Sequence, residues 1–363
     1  MKIALLGDIA LFGAYDVNRN PSLLNNLNGI SNYLSHFDCV VGNLETPFSI
    51  KQKTSGAKSA YICADVENIE VLRKIHLSAA LLANNHMFDY GEEGYQCTID
   101  TLTNAGIPYF GVDGKEFIFD KNGNKILFSG FCCYSSNPLN LAYQYGKHGV
   151  NSYNVKTVSD YLKDHKDYLN IVAVHAGIEH VNCPHPDHIK AARKLSEITP
   201  YIYYGHHPHV VQGIEEKNDS LIAYSLGNFC FDDIYSKDKE DIPFVKLTDN
   251  NRTGMILELM VENNLVVSWR QQMIKIGKSG YIELLEDKER KFDKYSDQIL
   301  EADTDEVTYL EKRNAIIAER IASRKSMRNL AWYLKRLRPQ YVKLIFDMRK
   351  NQKNYFNNVK KYI

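Results

Sequence analysis

A chain of 363 residues with 44% hydrophobic and 24% charged residues argues against a disordered or low-complexity protein, and it is long enough for one large α/β domain with an appendage. No stretch approaches the roughly 18 apolar residues of a membrane span, and seven cysteines without a C-x-x-C pair argue against a disulfide framework and for a reducing compartment. The formal charge is zero but unevenly spread: residues 311–363 hold 15 Lys/Arg and 3 Asp/Glu, a net of +12, which leaves −12 on the first 310.

In chain order, short apolar runs alternate with helical periodicity. Ile3–Leu6 is a strand stopped by Gly7-Asp8, a break too early for the apolar core of a signal peptide; a cytoplasmic location is therefore expected. Cys39–Val41 ends in GNLE, Leu77–Leu82 in ANNH, Ile171–Val174 in HAG, Tyr201–Tyr204 in GHHPH and Ile222–Leu226 in GNF. Helical spacing occupies Asp65–Ile75, Tyr95–Ala105 and His188–Ile198. This alternation predicts an α/β fold with largely parallel strands, whose functional residues collect at the strands' carboxyl ends. Gly254–Val261 and Leu265–Trp269 read as a hairpin around Glu262-Asn263-Asn264 and are expected to complete a second sheet. The charged stretch from residue 286 to 306 reads as a linker, so the expected division is a domain over 1–284 and a charged linker with a basic helical tail over 285–363. Two apolar stripes mark the tail: Met327, Leu330, Leu334 and Leu337, ended by Pro339, then Tyr341, Ile345, Met348, Tyr355 and Val359.

The strand ends supply Asp8, Asn43, Glu45, Asn84, Asn85, His86, His175, His206, His207 and His209. This nitrogen and oxygen set suits a hard or borderline divalent ion such as manganese, iron or zinc, and its lack of thiolate argues against a structural zinc site. Each residue has a plainer reading. Asp8 could cap a turn and Glu45 could be a solvated loop acid. Asn84 reads as a turn residue. His86 and His175 could be buried structural histidines, and His207 and His209 a polar turn held by Pro208. Cys183, His185 and His188 have part of a zinc spacing but no fourth ligand nearby, and read as loop residues. Asp89, Asp232 and Asp233 read equally as acids that orient histidines or as surface acids.

Taken together, GDIALFG (7–13), VVGNLETPF (40–48), LANNHMFDYG (82–91), VHAGIEH (174–180), YGHHPHVVQGIE (204–215) and YSLGNFCFDD (224–233) resemble the CapA family of capsule and poly-γ-glutamate biosynthesis proteins, a branch of the calcineurin-like metallophosphoesterases. The resemblance covers about residues 1–235. It implies a four-layer α/β/β/α sandwich of metallophosphoesterase type with a C-terminal helical extension. It implies one or two divalent ions (Mn, Fe or Zn) held by Asp8, Glu45, Asn85, His175, His207 and His209, with His86 as the catalytic histidine. Asn43, Glu179 and His180 are the expected substrate-binding residues. His206 falls where the family requires nothing and is left out of the ligand set. Ala10 stands where most metallophosphoesterases place the histidine of Asp-x-His, which removes one ligand from the first ion.

The expected activity is metal-dependent hydrolysis of phosphoester type in capsule, poly-γ-glutamate or other cell-surface polymer synthesis, on an anionic polymer or phosphorylated precursor. The alternative is a non-catalytic binding or scaffold subunit of a membrane-associated synthesis or export assembly. The basic tail reads as a helical pair packed on the domain, or as an element that places the protein peripherally at the inner face of the membrane. No nucleic-acid motif supports a third reading, nucleic-acid binding.

Overall fold

A computed structural model describes residues 1–49, 61–133, 148–236, 239–286 and 293–326, with scattered helical positions between 342 and 361. The chain begins with β1 (Lys2–Ile9) and passes through α1 (Leu23–Asn26) and α2 (Asn28–Leu34) to β2 (Cys39–Leu44). It continues through α3 (Ile69–Lys74) to β3 (Ala79–Leu81) and through α4 (Gly91–Asn104) to β4 (Tyr109–Phe110). These four strands run parallel in sequence order, as helical crossovers require.

The second sheet opens with the hairpin of β5 (Phe117–Lys121) and β6 (Asn124–Cys132). It continues through α5 (Val155–Asp164), β7 (Leu169–His175), α6 (Pro186–Ser196), β8 (Tyr201–His206), β9 (Ile214–Lys217) and β10 (Ser220–Ala223), in the order β5-β6-β7-β8-β10-β9. The chain then returns to the first sheet, where β11 (Asn228–Cys230) pairs with the end of β1. A small pair, β12 (Ile234–Ser236) and β13 (Lys239–Val245), follows. Then come β14 (Thr253–Glu262), β15 (Leu265–Ile276) and β16 (Ile282–Leu284), and finally α7 (Asp293–Thr304) and α8 (Glu306–Ser326).

Two expectations are corrected here. The β14–β15 hairpin forms as read, turning on Asn263 and Asn264 at φ 52° and 61°, but it extends the first sheet. Lys2 pairs with Met260 and Leu5 with Leu257, which gives the parallel strands an antiparallel edge. The stretch read as a linker is largely a docked helix. Tyr295, Ile299 and Ala302 of α7 are buried, and Ser296 Oγ accepts a hydrogen bond from Ile214 N at 3.0 Å.

Period-two alternation explains how the sheets stack. Ile171, Ala173, Ile202 and Tyr204 join the core shared with the first sheet, whereas Val172, Val174, Tyr201 and Tyr203 face α5 and α6 through Val158, Leu162, Ile189 and Leu195. Tyr204 Oη crosses between the sheets to Leu6 O and Val41 O. Helices α1 to α4 contribute Leu23, Ile30, Leu72 and Leu102 to the first core. The result is the expected α/β/β/α layering. Gly205 lies at a close approach, since a Cβ there would sit 1.9 Å from Tyr224 O. No helix among the described residues is long and apolar enough to cross a membrane. Both tail stripes lie outside the described residues; Val342, Phe346, Arg349, Lys350, Lys353, Lys360 and Lys361 are helical and exposed.

Candidate metal centre

The strand ends of both sheets meet at one place. Asp8 is in register with Asn43 of β2 and Asn228 of β11, while His175 is in register with His206. The polar residues that follow each apolar run are therefore delivered side by side.

Asp8, Glu45 and His209 bring potential ligand atoms within 4.8 Å of one another, and all three are buried. His209 Nδ1 lies 3.2 Å from Asp8 Oδ2, and His209 Nε2 lies 3.5 Å from Glu45 Oε1. A second grouping adjoins it. His175 Nε2 is 2.8 Å from Asn85 Oδ1 and 3.1 Å from His207 Nδ1. These spacings suit donor atoms that share a cation held at about 2.0–2.2 Å. His207 and His209 have φ of 95° and 55°, a region that non-glycine residues seldom occupy. The chain around Pro208 thus accepts backbone strain that turns both imidazoles toward the acids.

A network of amides holds the cluster. Asn43 Nδ2 donates to Asp8 Oδ1 at 2.8 Å and lies 3.4 Å from His175 Nδ1. Asn84 Nδ2 donates to Asn43 Oδ1 and to Leu44 O, and its Oδ1 accepts from His86 N, as the turn reading of Asn84 expects. Asn228 Oδ1 meets His209 Nδ1 at 2.9 Å, and Asn251 Nδ2 lies 2.9 Å from His209 O. His86 Nδ1 is 2.6 Å from Asp89 Oδ2, while its Nε2 lies 3.8 Å from Glu45 Oε1.

Charge is balanced internally. Burial alone would raise the Asp8 carboxyl, but hydrogen bonds with His206 and His209 hold it well below the usual carboxylate range. Burial would lower His209, yet Glu45 and Asp8 outweigh it and hold the imidazole up to about 10. Burial, with His207 adding to it, pushes His175 well below its ordinary value, and burial brings His207 down to about 3. These two imidazoles are neutral at pH 7, the form that ligates metals.

A pH dependence of stability follows. Burial also depresses His180 to about 4 and His188 to about 3. These histidines titrate near 6.5 when unfolded, so below that pH the unfolded chain binds more protons. Their contribution is complete above about pH 6.5 and is lost as pH falls toward 4. His209, protonated in both states below pH 6.5, adds no slope there. The urea midpoint is expected to fall between pH 6.5 and 4, with a shallower fall in His188→Gln; an equally steep fall in the variant would contradict this.

The structure thus brings together Asp8, Glu45, Asn85, His86, His175, His207 and His209. Asn43, expected to contact substrate, is fully buried and its amide donates to Asp8. Glu179 and His180 stand at the rim, where the His180 ring lies 6.3 Å from that of His209. His206, left out of the expected ligand set, lies with Nδ1 2.9 Å from Asp8 Oδ1. Asn228 was visible in the GNF run without a role, and Asn251 had no signal in the sequence. Asp89 orients His86. Asp232 and Asp233 instead hold Ala14 N, Leu247 N and Arg252. Among the described residues, Cys183, His185 and His188 join no grouping that could hold a metal, and His185 Nδ1 caps α6 by accepting from Asp187 N at 3.1 Å.

The fold and site define a two-sheet α/β protein with a buried cluster of acids, amides and imidazoles at its strand ends. The bacterial capsule synthesis protein family PGA_cap matches residues 2–233, and the chain belongs to this family. It is 30% identical over 225 residues to the capsule biosynthesis protein CapA of Bacillus anthracis, covering 58% of this chain and 54% of that one. It is also 30% identical over 227 residues to the PGA biosynthesis protein CapA of Bacillus subtilis (strain 168), covering 60% and 59%. The chain therefore spans between half and three fifths of these curated relatives. Among solved structures, a 5′-nucleotidase precursor from Thermus thermophilus covers 87% of this chain and 59% of its own, at 12% identity and a TM-score of 0.44.

Proposed function

We propose that this chain is a divalent-metal-dependent hydrolase of phosphoester type that acts in capsule, poly-γ-glutamate or other cell-surface polymer synthesis. The observation that carries the reading is the convergence of two fully buried carboxylates, Asp8 and Glu45, on His209. Buried like charges are costly unless a cation compensates them. His209 carries a proton between them, and a divalent cation would take that proton's place. The donor set fits such an ion: Asp8, Glu45 and His209 on one side, Asn85, His175 and His207 on the other. The chemistry a bound ion supplies is Lewis acidity toward a phosphoryl oxygen.

The chain's own residues do the rest. Asn43 and His206 fix the Asp8 carboxylate, so its lone pairs point in one direction. Asp89 holds the His86 ring through Nδ1, which leaves Nε2 directed into the cluster to stabilise developing charge or to give a proton to a leaving oxygen. The near-continuous burial of both groupings keeps bulk water from screening these charges.

The second reading, a non-catalytic binding or scaffold subunit of a synthesis assembly, draws support from Ala10. That residue is fully buried and its N donates to Cys230 O at 2.6 Å, so the position of the Asp-x-His histidine offers no ligand. Chain reloaded with manganese is expected to hydrolyse bis(p-nitrophenyl) phosphate. Manganese bound without turnover on phosphodiester or phosphomonoester substrates favours the binding role.

A further inference from the structure

The loop over residues 176–185, between β7 and α6, carries Glu179 and His180 past the cluster, and α8 grips it from outside. Tyr309 Oη donates to Pro184 O at 2.6 Å, and Arg313 Nε donates to Cys183 O at 3.2 Å. Further along the same helix, Arg320 Nη2 pairs with Glu179 Oε2. The Arg320 and Glu179 side chains are 19% and 29% exposed, more open to solutes than the adjoining ligand cluster. All of α8 lies beyond residue 233 and thus outside the family match.

The pair sits at the mouth of the site. His180, next to Glu179, has its ring 6.3 Å from that of His209, and its Nδ1 is 2.7 Å from Asn251 Nδ2. The Glu179 charge acts on His180, His207 and His209, and the Arg320 charge on His180. An acid at this place, above Asp8 and Glu45, repels an anionic substrate unless a cation offsets it.

We propose that Arg320 is an anion-binding residue of the site, supplied by the C-terminal helix, which takes a non-bridging oxygen of a phosphoester substrate while Glu179 holds it at the mouth. A guanidinium carries five donors in a fixed fork, so it can keep its carboxylate partner along one edge and meet a phosphoryl oxygen along another. The inference rests on the hydrolase reading for the substrate class, and its test is chosen to be independent of turnover.

The probe is inorganic phosphate, titrated calorimetrically into manganese-loaded full-length chain at fixed ionic strength. Arg320→Met is expected to weaken phosphate binding about tenfold or more, the worth of a charge-assisted hydrogen bond, with manganese content unchanged. Arg313→Met loosens the same helix away from the mouth, and is expected to leave the affinity within about twofold. Equal weakening in both variants, no change in Arg320→Met, or no phosphate binding by the unaltered chain would each overturn the proposal. Should Arg320→Met fail to fold, Arg320→Lys decides: a point charge in place of the planar fork is expected to weaken phosphate binding severalfold, and an unchanged affinity overturns the role. Absence of phosphoester turnover, by contrast, counts against the hydrolase reading alone.

Discussion

Alanine at His86 is expected to lower phosphodiester turnover by about 10²–10⁴-fold, the range for loss of a positioned proton donor, while bound manganese stays at the unaltered level. The split follows from position. His86 Nε2 is 3.8 Å from Glu45 Oε1, while the close contacts within the ligand groupings are made by Asn85, His175, His207 and His209. Its Nδ1 is fixed at 2.6 Å by Asp89, whose Oδ2 also accepts from Ile62 N at 3.1 Å. Asp89→Asn is expected to give a smaller loss, about 10–100-fold, because it removes the charge that fixes the ring's tautomer. Turnover and elemental content measured on the same samples check this. Loss of metal in step with turnover would make His86 a ligand and contradict the assignment.

Replacing Glu45 with Gln is expected to weaken manganese binding by about 100-fold or more, the upper range for disturbing a metal's surroundings. Glu45 is fully buried between His209 at 3.5 Å and His86 at 3.8 Å. Its charge is the largest influence that raises the His209 imidazole. Neutral Gln removes one of two adjacent buried carboxylates, so the metal-free variant should unfold no earlier than the unaltered chain. The distinguishing readout is the rise in Tm on adding manganese, which a ligand that binds only the folded state must produce. It should be present in the unaltered chain and absent in the variant. An equal rise in both would remove Glu45 from the ion's surroundings.

The site was legible because apolar runs stop abruptly: GDIA, GNLE, ANNH, HAG and GHHPH lie at or just past five strand ends, which meet in an α/β fold, while GNF instead opens β11 beside the end of β1. What sequence could not supply was long-range register. The Asn263-Asn264 turn announced a hairpin, but only the pairing of Lys2 with Met260 assigns it to the first sheet. Asn43 and Glu45 are two residues apart on neighbouring strand-end positions, and the Asn43 amide is taken up by Asp8 and Asn84, a fact of packing depth. Of three histidines in GHHPH, His206 ends β8 and points inward beside Tyr204, at a ring distance of 4.2 Å. His207 and His209 leave the strand through positive φ. Local composition does not say which histidine stays in the strand. In α7 the stripe of Tyr295, Ile299 and Ala302 was present but diluted by charge, which read as a linker. Arg320 is 141 residues from Glu179, beyond any local pattern.

The most direct measurement is metal stoichiometry of the unaltered, folded chain after chelator stripping and reloading with manganese, iron or zinc. One to two tightly held equivalents per chain, fewer in Asp8→Asn, are the predicted result. A folded chain that retains none of the three ions would contradict the account, because the buried carboxylates and imidazoles would then need another explanation.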